Sequence, residues 1–266
     1  MVQVLDDGVK ISIGIQSAAA TTIEQVSIKV PYFLRRFTVR SGLHDPLKRS
    51  MDSIWMQRQR RKCSYSQFGE DREVLARLGP TGLYADVGAN HAFKGSNTYL
   101  LYRAGWRGLT LEPIKSHCLQ HQVFRPGDVC LNAAAGRSAA TGWFNELNPT
   151  GFSTFDEDSA SRLVDDRRAV LVGRYEVPIV TLAQAWGTAF GLRRPDFISI
   201  DTEGFEFEVL AGADLPRLQP KLVLLEFESA VDSGRRSALI DVMESAGYML
   251  EAEFGVNGLF RRRGSA

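Results

Sequence analysis

Apolar and polar positions change their spacing repeatedly along the chain, from short apolar runs to the three- and four-residue periods of helices. The apolar runs predict seven strands, at 83–87, 108–111, 128–132, 195–201, 222–227, 248–253 and 258–262. Helical spacing fills most intervals, at 66–78, 96–104, 115–122, 181–190, 204–211 and 235–246. Strands that alternate with helices predict an α/β fold with a doubly wound, mostly parallel sheet.

Two segments lie outside this alternation. Residues 142–180 lose a clear period and mix aromatic with polar side chains, which predicts an irregular insertion on the ligand side of the domain. Residues 1–62 form an N-terminal extension, in which alternating stretches at 9–15 and 26–30 predict edge strands. The main domain is therefore expected to span residues 63–266.

Charge is unevenly distributed, although the 266-residue chain has a formal net charge of only +1. Residues 29–62, the basic arm, contain ten basic and two acidic residues, whereas residues 63–266 sum to −5. Within the arm a helix is expected from Asp45 onwards. Its apolar stripe would consist of Leu47, Met51, Ile54 and Trp55.

Two hypotheses fit the basic arm. It lies on an anionic membrane as a peripheral contact, where each nearby cation contributes about 1 kcal/mol. Alternatively, the apolar stripe is buried against the domain or against a second subunit, which would make the protein a homodimer. We favour burial, because Met51 and Trp55 are enough to seat a helix on a core.

Composition indicates a cytoplasmic protein. The three cysteines, Cys63, Cys118 and Cys130, lack the spacing of a disulfide framework or a zinc site. No run approaches the roughly 20 apolar residues that span a bilayer. The first residues include acids and lack the basic-then-apolar pattern of a signal peptide. We expect no nucleic-acid partner.

A nucleotide-binding pattern follows the first predicted strand of the domain. Tyr84-Ala-Asp-Val-Gly-Ala-Asn90 leads from the strand through a turn of small residues, and Glu112 ends the next strand about 20 residues later. An acid at that distance typically binds a ribose. The second and third glycines of a pyrophosphate loop are missing, so a ligand with a ribose and no phosphate fits better. S-adenosylmethionine (SAM) is such a ligand.

The chain resembles the FkbM-type SAM-dependent methyltransferases over about residues 63–262. Six pieces in the family's order carry the resemblance: Ser66-Gln-Phe-Gly-Glu-Asp71, Tyr84-Ala-Asp-Val-Gly-Ala-Asn90, Ser96-Asn-Thr-Tyr-Leu-Leu-Tyr102, Gly105-Trp-Arg-Gly-Leu-Thr-Leu-Glu-Pro113, Asp196-Phe-Ile-Ser-Ile-Asp-Thr-Glu-Gly204 and Leu222-Val-Leu-Leu-Glu226. The resemblance implies a class I methyltransferase (Rossmann-like) fold, with seven strands and the last one antiparallel. It also implies methylation of a hydroxyl on a small-molecule or glycan acceptor, such as a sugar or natural product.

The same resemblance implies roles for individual residues. Glu112 would bind the ribose hydroxyls, and Asp201 would lie near the sulfonium and the acceptor. The methionine part of SAM would be bordered by Asp86, Gly88 and Asn90, and the adenine by Asn132 and Ala133. Further cofactor contacts within the matching pieces would be Gln67, Asn97 and Pro113.

Carboxylates at two neighbouring strand ends are the candidate catalytic groups. Asp201 and Glu203 end the fourth strand two residues apart, so both would project toward the ligand crevice of an open α/β sheet. Glu226 and Glu228 repeat that spacing on the fifth strand. A base helps here, because a protonated hydroxyl is a poor nucleophile. His91, in the turn after the first strand, is a second candidate base.

Converging carboxylates would repel one another unless one is protonated or a cation lies among them. Oxygen-only ligands favour Mg²⁺ or Ca²⁺, and the candidate ligands are Asp201, Glu203 and Glu226. Capping of backbone amides or pairing with an arginine would equally account for Glu226. His117 and His121, four residues apart, are expected on a helix surface.

Two other functions compete with an O-methyltransferase. A nicotinamide-dependent oxidoreductase is disfavoured by the missing glycines after Gly88 and by the lack of a Tyr-x-x-x-Lys pair. A non-catalytic SAM-binding scaffold in glycan or secondary-metabolite assembly is disfavoured by the retained acids, among them Asp86, Glu112 and Asp201.

Overall fold

The computed structural model describes residues 2–5, 8–11, 64–227 and 233–265, and the chain divides into units 1–60 and 61–266. In the first unit β1 (Val2–Leu5) pairs antiparallel with β2 (Gly8–Ile11), which overlaps the strand predicted at 9–15. The basic arm, the strand predicted at 26–30 and Glu228 lie outside the described residues.

Seven strands form the central sheet of the second unit, in the order β11, β12, β10, β9, β3, β4, β5. Their bounds are β3 (Leu83–Val87), β4 (Arg107–Leu111), β5 (Val129–Leu131), β9 (Phe197–Ile200), β10 (Leu222–Glu226), β11 (Tyr248–Phe254) and β12 (Asn257–Arg262). Neighbours from β10 to β5 pair parallel, whereas β12 runs antiparallel to both β10 and β11. The predicted fold class is confirmed, including the antiparallel last strand.

Helices pack on both faces of this sheet, except the fourth of them, which packs against the strand pair at 140–180. Their bounds are α1 (Glu70–Leu78), α2 (Tyr99–Ala104), α3 (Lys115–Phe124), α4 (Glu157–Asp165), α5 (Leu182–Phe190), α6 (Glu206–Ala213), α7 (Leu215–Leu218) and α8 (Ser233–Ser245). Alternation along β3 sends Ala85 and Val87 into the core formed with α5, α6 and α8, while Tyr84 enters the core formed with α1 and α2. Within the part of the chain that the structure describes, no helix has the length and apolarity needed to cross a membrane.

The helix predicted at 96–104 begins three residues late, at Tyr99. The Ser96 hydroxyl oxygen accepts hydrogen bonds from the amides of Thr98 (3.3 Å) and Tyr99 (3.1 Å), which holds residues 96–98 as a turn. The helix ends at Gly105, whose φ of 118° lies in the left-handed region that glycine adopts readily.

The segment at 142–180 is not irregular, contrary to our prediction. β7 (Ala140–Asn148) and β8 (Val170–Val180) pair antiparallel, and β6 (Ala134–Ala135) pairs parallel with β8. Alternation along β7 buries Phe144 and leaves Trp143 54% exposed on the opposite face. The period is hidden in the sequence because Phe144 and Asn145 are buried in succession and the register shifts after Glu146.

His117 and His121 are buried, which corrects our expectation of a surface position for both. The Nε2 atom of His121 lies 3.0 Å from the carbonyl oxygen of Asn90, so α3 is held against the turn after β3. Burial, followed by the charge of Arg125, lowers the pKa of His121 to about 3, so its ring is neutral at physiological pH.

Candidate active site

A crevice opens at the carboxyl ends of β3, β4, β9 and β10, where open α/β sheets bind their ligands. Its empty volume is about 1110 Å³, including space open to solvent. Ten of the predicted site residues line it: Gln67, Asp86, Gly88, Asn90, Asn97, Glu112, Pro113, Asp201, Glu203 and Glu226. The fold therefore brings both predicted groups, cofactor contacts and carboxylates, to one place.

The turn after β3 passes very close to the end of β9. Gly88 has a φ of 75°, and a Cβ atom at this position would overlap the carbonyl oxygen of Asp201. Only glycine fits such an approach. Asn90 also has a left-handed φ, of 46°. Its amide donates to Glu112 Oε2 (2.6 Å), and its Oδ1 accepts from the Thr150 hydroxyl (3.2 Å).

Glu112 is a buried carboxyl at the end of β4, with 2% of its surface exposed. Its Oε2 accepts from the amide of Asn90 and its Oε1 from the amide of Ile114, each at 2.6 Å. Burial raises the pKa of Glu112 to about 8 despite these two hydrogen bonds. Each oxygen retains a second lone pair, so the group can still accept hydrogen bonds from a ligand.

Asp201, Glu203 and Glu226 form the carboxylate cluster, in which one oxygen of each lies within 4.8 Å of the others. Burial raises the pKa of Asp201 to about 6. Burial and the charge of Asp201 together raise the pKa of Glu226 to about 11. One proton or one cation must therefore lie in this cluster at neutral pH, because bare carboxylates at such spacing repel one another.

Beneath the crevice, Arg125 organises a buried polar network. Its guanidinium is fully buried and donates to Asp128 Oδ2 (2.8 Å), the Tyr84 hydroxyl (2.6 Å) and Thr98 Oγ1 (2.8 Å). The Thr98 hydroxyl in turn donates to Asp86 Oδ2. The network thus fixes the side chain of Asp86 at the crevice wall. No local sequence pattern predicts this network, since its members are scattered over 45 residues, from Tyr84 to Asp128.

Three predicted site residues do not line the crevice. His91 is buried, with its ring centre 4.4 Å from Phe93 and 5.9 Å from His117. Asn132 is exposed, and its amide donates to the carbonyl oxygens of Glu112 (2.9 Å) and Pro113 (2.8 Å). Ala133 is buried in the core. The next residues along the chain, Ala134 and Ala135, reach the crevice instead.

The hairpin of β7 and β8, part of the insertion predicted on the ligand side at 142–180, lines the crevice. The segment after β7 lies across the crevice, because the Thr154 hydroxyl donates to the carbonyl oxygen of Glu203 (3.1 Å) and Thr150 bonds Asn90. Contributions from this region are Phe144, Thr150, Gly151, Ser153 and Phe155, with Lys94 and Phe205 beside them. Strand parity would have separated inward Phe144 from outward Trp143.

The comparison with protein families decides the assignment. A model of the methyltransferase FkbM domain matches residues 86–250, more than half of the chain. The chain belongs to the FkbM methyltransferase family. This FkbM protein is accordingly a SAM-dependent methyltransferase, as the ordered motifs predicted. Among curated proteins, no sequence matches it.

Several solved methyltransferase structures share a general likeness with this FkbM protein. A TehB-like SAM-dependent methyltransferase from Corynebacterium glutamicum has a TM-score of 0.41 and 12% identity, covering 82% of this chain and 100% of its own. Precorrin-6y C5,15-methyltransferase from Geobacter metallireducens scores 0.39 at 14% identity, with 75% and 89% coverage. The 1,6-didemethyltoxoflavin-N1-methyltransferase of Burkholderia thailandensis has a TM-score of 0.38 and 12% identity, covering 84% of this chain and 91% of its own. Likeness at this level adds nothing to the family assignment.

The crevice of this FkbM methyltransferase fits SAM by its own chemistry. Gly88 and Glu112 both line the crevice, and the buried Glu112 retains acceptor capacity for a pair of hydroxyls. No glycine-rich phosphate loop is present between Gly88 and Gly95, and SAM carries no phosphate.

Proposed function

We propose that this enzyme methylates a hydroxyl of a sugar, glycan or natural-product acceptor in the cytoplasm. The observation that carries the proposal is the carboxylate cluster, which shares one crevice with Glu112. A hydroxyl acceptor benefits from a base, and Asp201 has a pKa of about 6, suited to accept a proton near neutral pH.

For the cofactor we propose the placement implied by the family resemblance. Glu112 would accept hydrogen bonds from both ribose hydroxyls, while Asp86, Gly88 and Asn90 would border the methionine part. Gln67, Asn97 and Pro113 line the same wall and would complete the contacts. For adenine, Asn132 and Ala133 stay predictions, and the neighbouring Ala134 and Ala135 supply the apolar surface in the crevice.

When bound, SAM supplies a methyl group on a sulfonium, which is a good leaving group. The protein then has to align the acceptor oxygen with that methyl group, and orientation of this kind supplies most of the catalysis. Phe144 and Phe155 offer flat apolar faces for an acceptor ring, while Thr150 and Ser153 offer hydroxyls. Asp201 or Glu203 would take the proton from the acceptor oxygen as the new bond forms.

A divalent cation is a second candidate occupant of the carboxylate cluster. Three carboxylate oxygens within 4.8 Å suit Mg²⁺ or Ca²⁺, which both prefer oxygen ligands. A cation there would lower the pKa of an acceptor hydroxyl and relieve the repulsion that otherwise requires a proton on Glu226. Loss of turnover on chelation, with recovery on addition of Mg²⁺ or Ca²⁺, would decide for the cation over the proton.

Family membership decides against the nicotinamide-dependent oxidoreductase. The non-catalytic scaffold is tested by a screen of hydroxylated glycans and natural products with labelled SAM and detection of a methyl gain by mass. We expect methylated product from at least one class. Binding of S-adenosylhomocysteine (SAH) without transfer to any acceptor would instead support the scaffold.

With an acceptor in hand, Asp201→Asn and Glu203→Gln test the base. At least one should lower turnover by about 100-fold, the usual contribution of a positioned base, with SAH affinity retained. Glu208→Gln, which changes a surface carboxylate paired with Arg137, is the matched control. If both cluster variants turn over at the parental rate, the base lies elsewhere and His91 is tested next.

A further inference from the structure

Arginines and a lysine collect at the amino ends of the strands, opposite the crevice. Arg107 begins β4, Lys221 precedes β10, and the pair Arg193–Arg194 precedes β9. The antiparallel β12 ends on the same side, at Arg262. The strand order thus assembles a cationic surface, here called the basic floor: Arg107, Arg193, Arg194, Lys221, Arg262 and Arg263.

A groove with about 890 Å³ of empty volume, including open solvent, runs through the basic floor. Arg107, Arg193 and Arg194 line it, and Asp196 is the one acid among its lining residues. Lys221 Nζ lies 3.0 Å from Asp196 Oδ1 and neutralises that acid. The groove therefore presents three guanidinium groups to an incoming ligand.

Within the described residues, the guanidinium groups of the basic floor have no carboxylate partner. Arg194 and Arg262 instead donate to the same oxygen, Gln219 Oε1, at 2.6 and 3.5 Å. The Nε atom of Arg262 is buried and has no hydrogen-bond partner in this part of the chain. Two cations held around one neutral amide concentrate positive potential at that point, which favours an anion.

Leu192 adds an apolar tip to this cationic surface. It follows the turn at Gly191 after α5, directly precedes Arg193, and is 99% exposed. Among the described residues, its side chain is thus left almost entirely to solvent. An apolar side chain so fully exposed gains free energy by entering an apolar phase, and the neighbouring arginines suit the charged boundary of such a phase.

We propose that the basic floor docks on an anionic lipid surface, with its arginines at the phosphate headgroups and Leu192 inserted into the acyl boundary. Interfacial binding of this kind combines buried apolar area with attraction to anionic lipids. A soluble phosphorylated ligand would use the groove but not Leu192. A single-stranded nucleic acid would call for exposed aromatic rings on which bases stack, and the groove is lined by none.

Sedimentation of the full-length protein with vesicles tests the docking. Binding should occur with mixed phosphatidylglycerol and phosphatidylcholine vesicles, should be absent with phosphatidylcholine alone, and should weaken as salt rises. Arg193→Gln/Arg194→Gln should lower the partition coefficient by about 30-fold, and Leu192→Ser by about tenfold. These variants should bind SAH as the parent does, which shows that they are folded.

Matched controls remove the same groups elsewhere. Arg137→Gln/Arg162→Gln deletes two exposed arginines away from the floor, and Val172→Ser removes an apolar side chain that is 59% exposed on the hairpin. Both should bind vesicles like the parent. Equal losses of vesicle binding in the controls and the floor variants would mean that only net charge or overall hydrophobicity matters. That result would overturn the proposal.

Three other results would also overturn it. Parental binding by both floor variants would assign membrane contact to another segment, such as residues 29–62. Sensitivity to the arginine pair but not to Leu192, with competition by inorganic pyrophosphate, would indicate a soluble phosphorylated ligand. Absence of binding to anionic vesicles at low salt would exclude a lipid surface.

Discussion

The two ends of the central sheet carry opposite charge in opposite environments. At the carboxyl ends Glu112 is buried and Asp201 is half-buried, and their pKa values are raised to about 8 and about 6. At the amino ends, the guanidinium groups of Arg193 and Arg194 face water. Burial makes the first group sensitive to protons and ligands, whereas hydration keeps the second permanently charged. The sheet thus separates a crevice whose acids respond to pH and ligands from a surface whose cations stay charged.

The largest effect is expected when an arginine is replaced in each of the two environments. Arg125→Met removes the centre of the buried network and leaves Asp128 and the Tyr84 hydroxyl without their partner. We expect a loss of about 3–5 kcal/mol in the free energy of unfolding, measured by urea denaturation. Arg194→Met, on the basic floor, should stay within about 0.5 kcal/mol of the parent. Similar losses for both would show that burial does not distinguish them.

A second test asks whether the crevice acid binds the ribose. Glu112→Ala should weaken SAH binding by about 100-fold, because a pair of charge-assisted hydrogen bonds is lost. Calorimetry with purified SAH measures this, and Arg194→Gln serves as a folded control that should bind normally. Unchanged affinity in a folded Glu112→Ala variant would contradict the ribose assignment.

The smallest expected effect is a pH dependence of SAH affinity, which arises from the same Glu112 carboxyl. Its pKa of about 8 means that Glu112 is mostly protonated at pH 7, whereas accepting two ribose hydrogen bonds favours the ionised form. SAH binding should therefore release a proton at pH 7, and its affinity should rise, by less than tenfold per pH unit, until about pH 8. Binding heats in phosphate and Tris buffers measure the proton release.

The same shift affects folding. Glu112 in the folded protein holds its proton above the ordinary pKa of 4.5, so the stability it contributes is complete below pH 4.5 and is lost as pH rises to about 8. Glu112→Gln should remove both dependences. The parent protein and Glu112→Gln are compared for the pH dependence of SAH affinity and of stability. Identical pH profiles in the two proteins would show that burial does not raise this pKa.

Much of the fold follows from local sequence. The apolar run at 222–227 and the strand–turn–helix of Tyr84 to Asn90 are each specified within a few residues, and they place the crevice once the sheet is parallel. The family motifs predict the remaining cofactor contacts, and Gln67, Asn97 and Pro113 among them line the crevice. The approach of Gly88 to Asp201 joins residues more than 110 positions apart, so no local pattern reveals it.

The hairpin and the basic floor were not predictable for two different reasons. β7 buries Phe144 and Asn145 in succession and shifts register after Glu146, so no regular period separated Trp143 from Phe144 in the sequence. The floor cations occur singly or in pairs from Arg107 to Arg263, within a region whose net charge is −5. Only the strand order brings them together, and the net charge summed along the sequence does not reveal this.

Two glycines of the crevice set different limits on how the enzyme can evolve. Position 88 admits no side chain, since a Cβ atom there would overlap the carbonyl group of Asp201, directly after β9. At Gly151 a Cβ atom would meet only Glu203 Oε1 at 3.8 Å and Asn90 Nδ2 at 4.0 Å, which are ordinary contacts. Substitution at 151 can therefore reshape its side of the crevice, while the turn at 88 stays fixed. A lineage with this architecture can alter one part of the crevice without rebuilding the other.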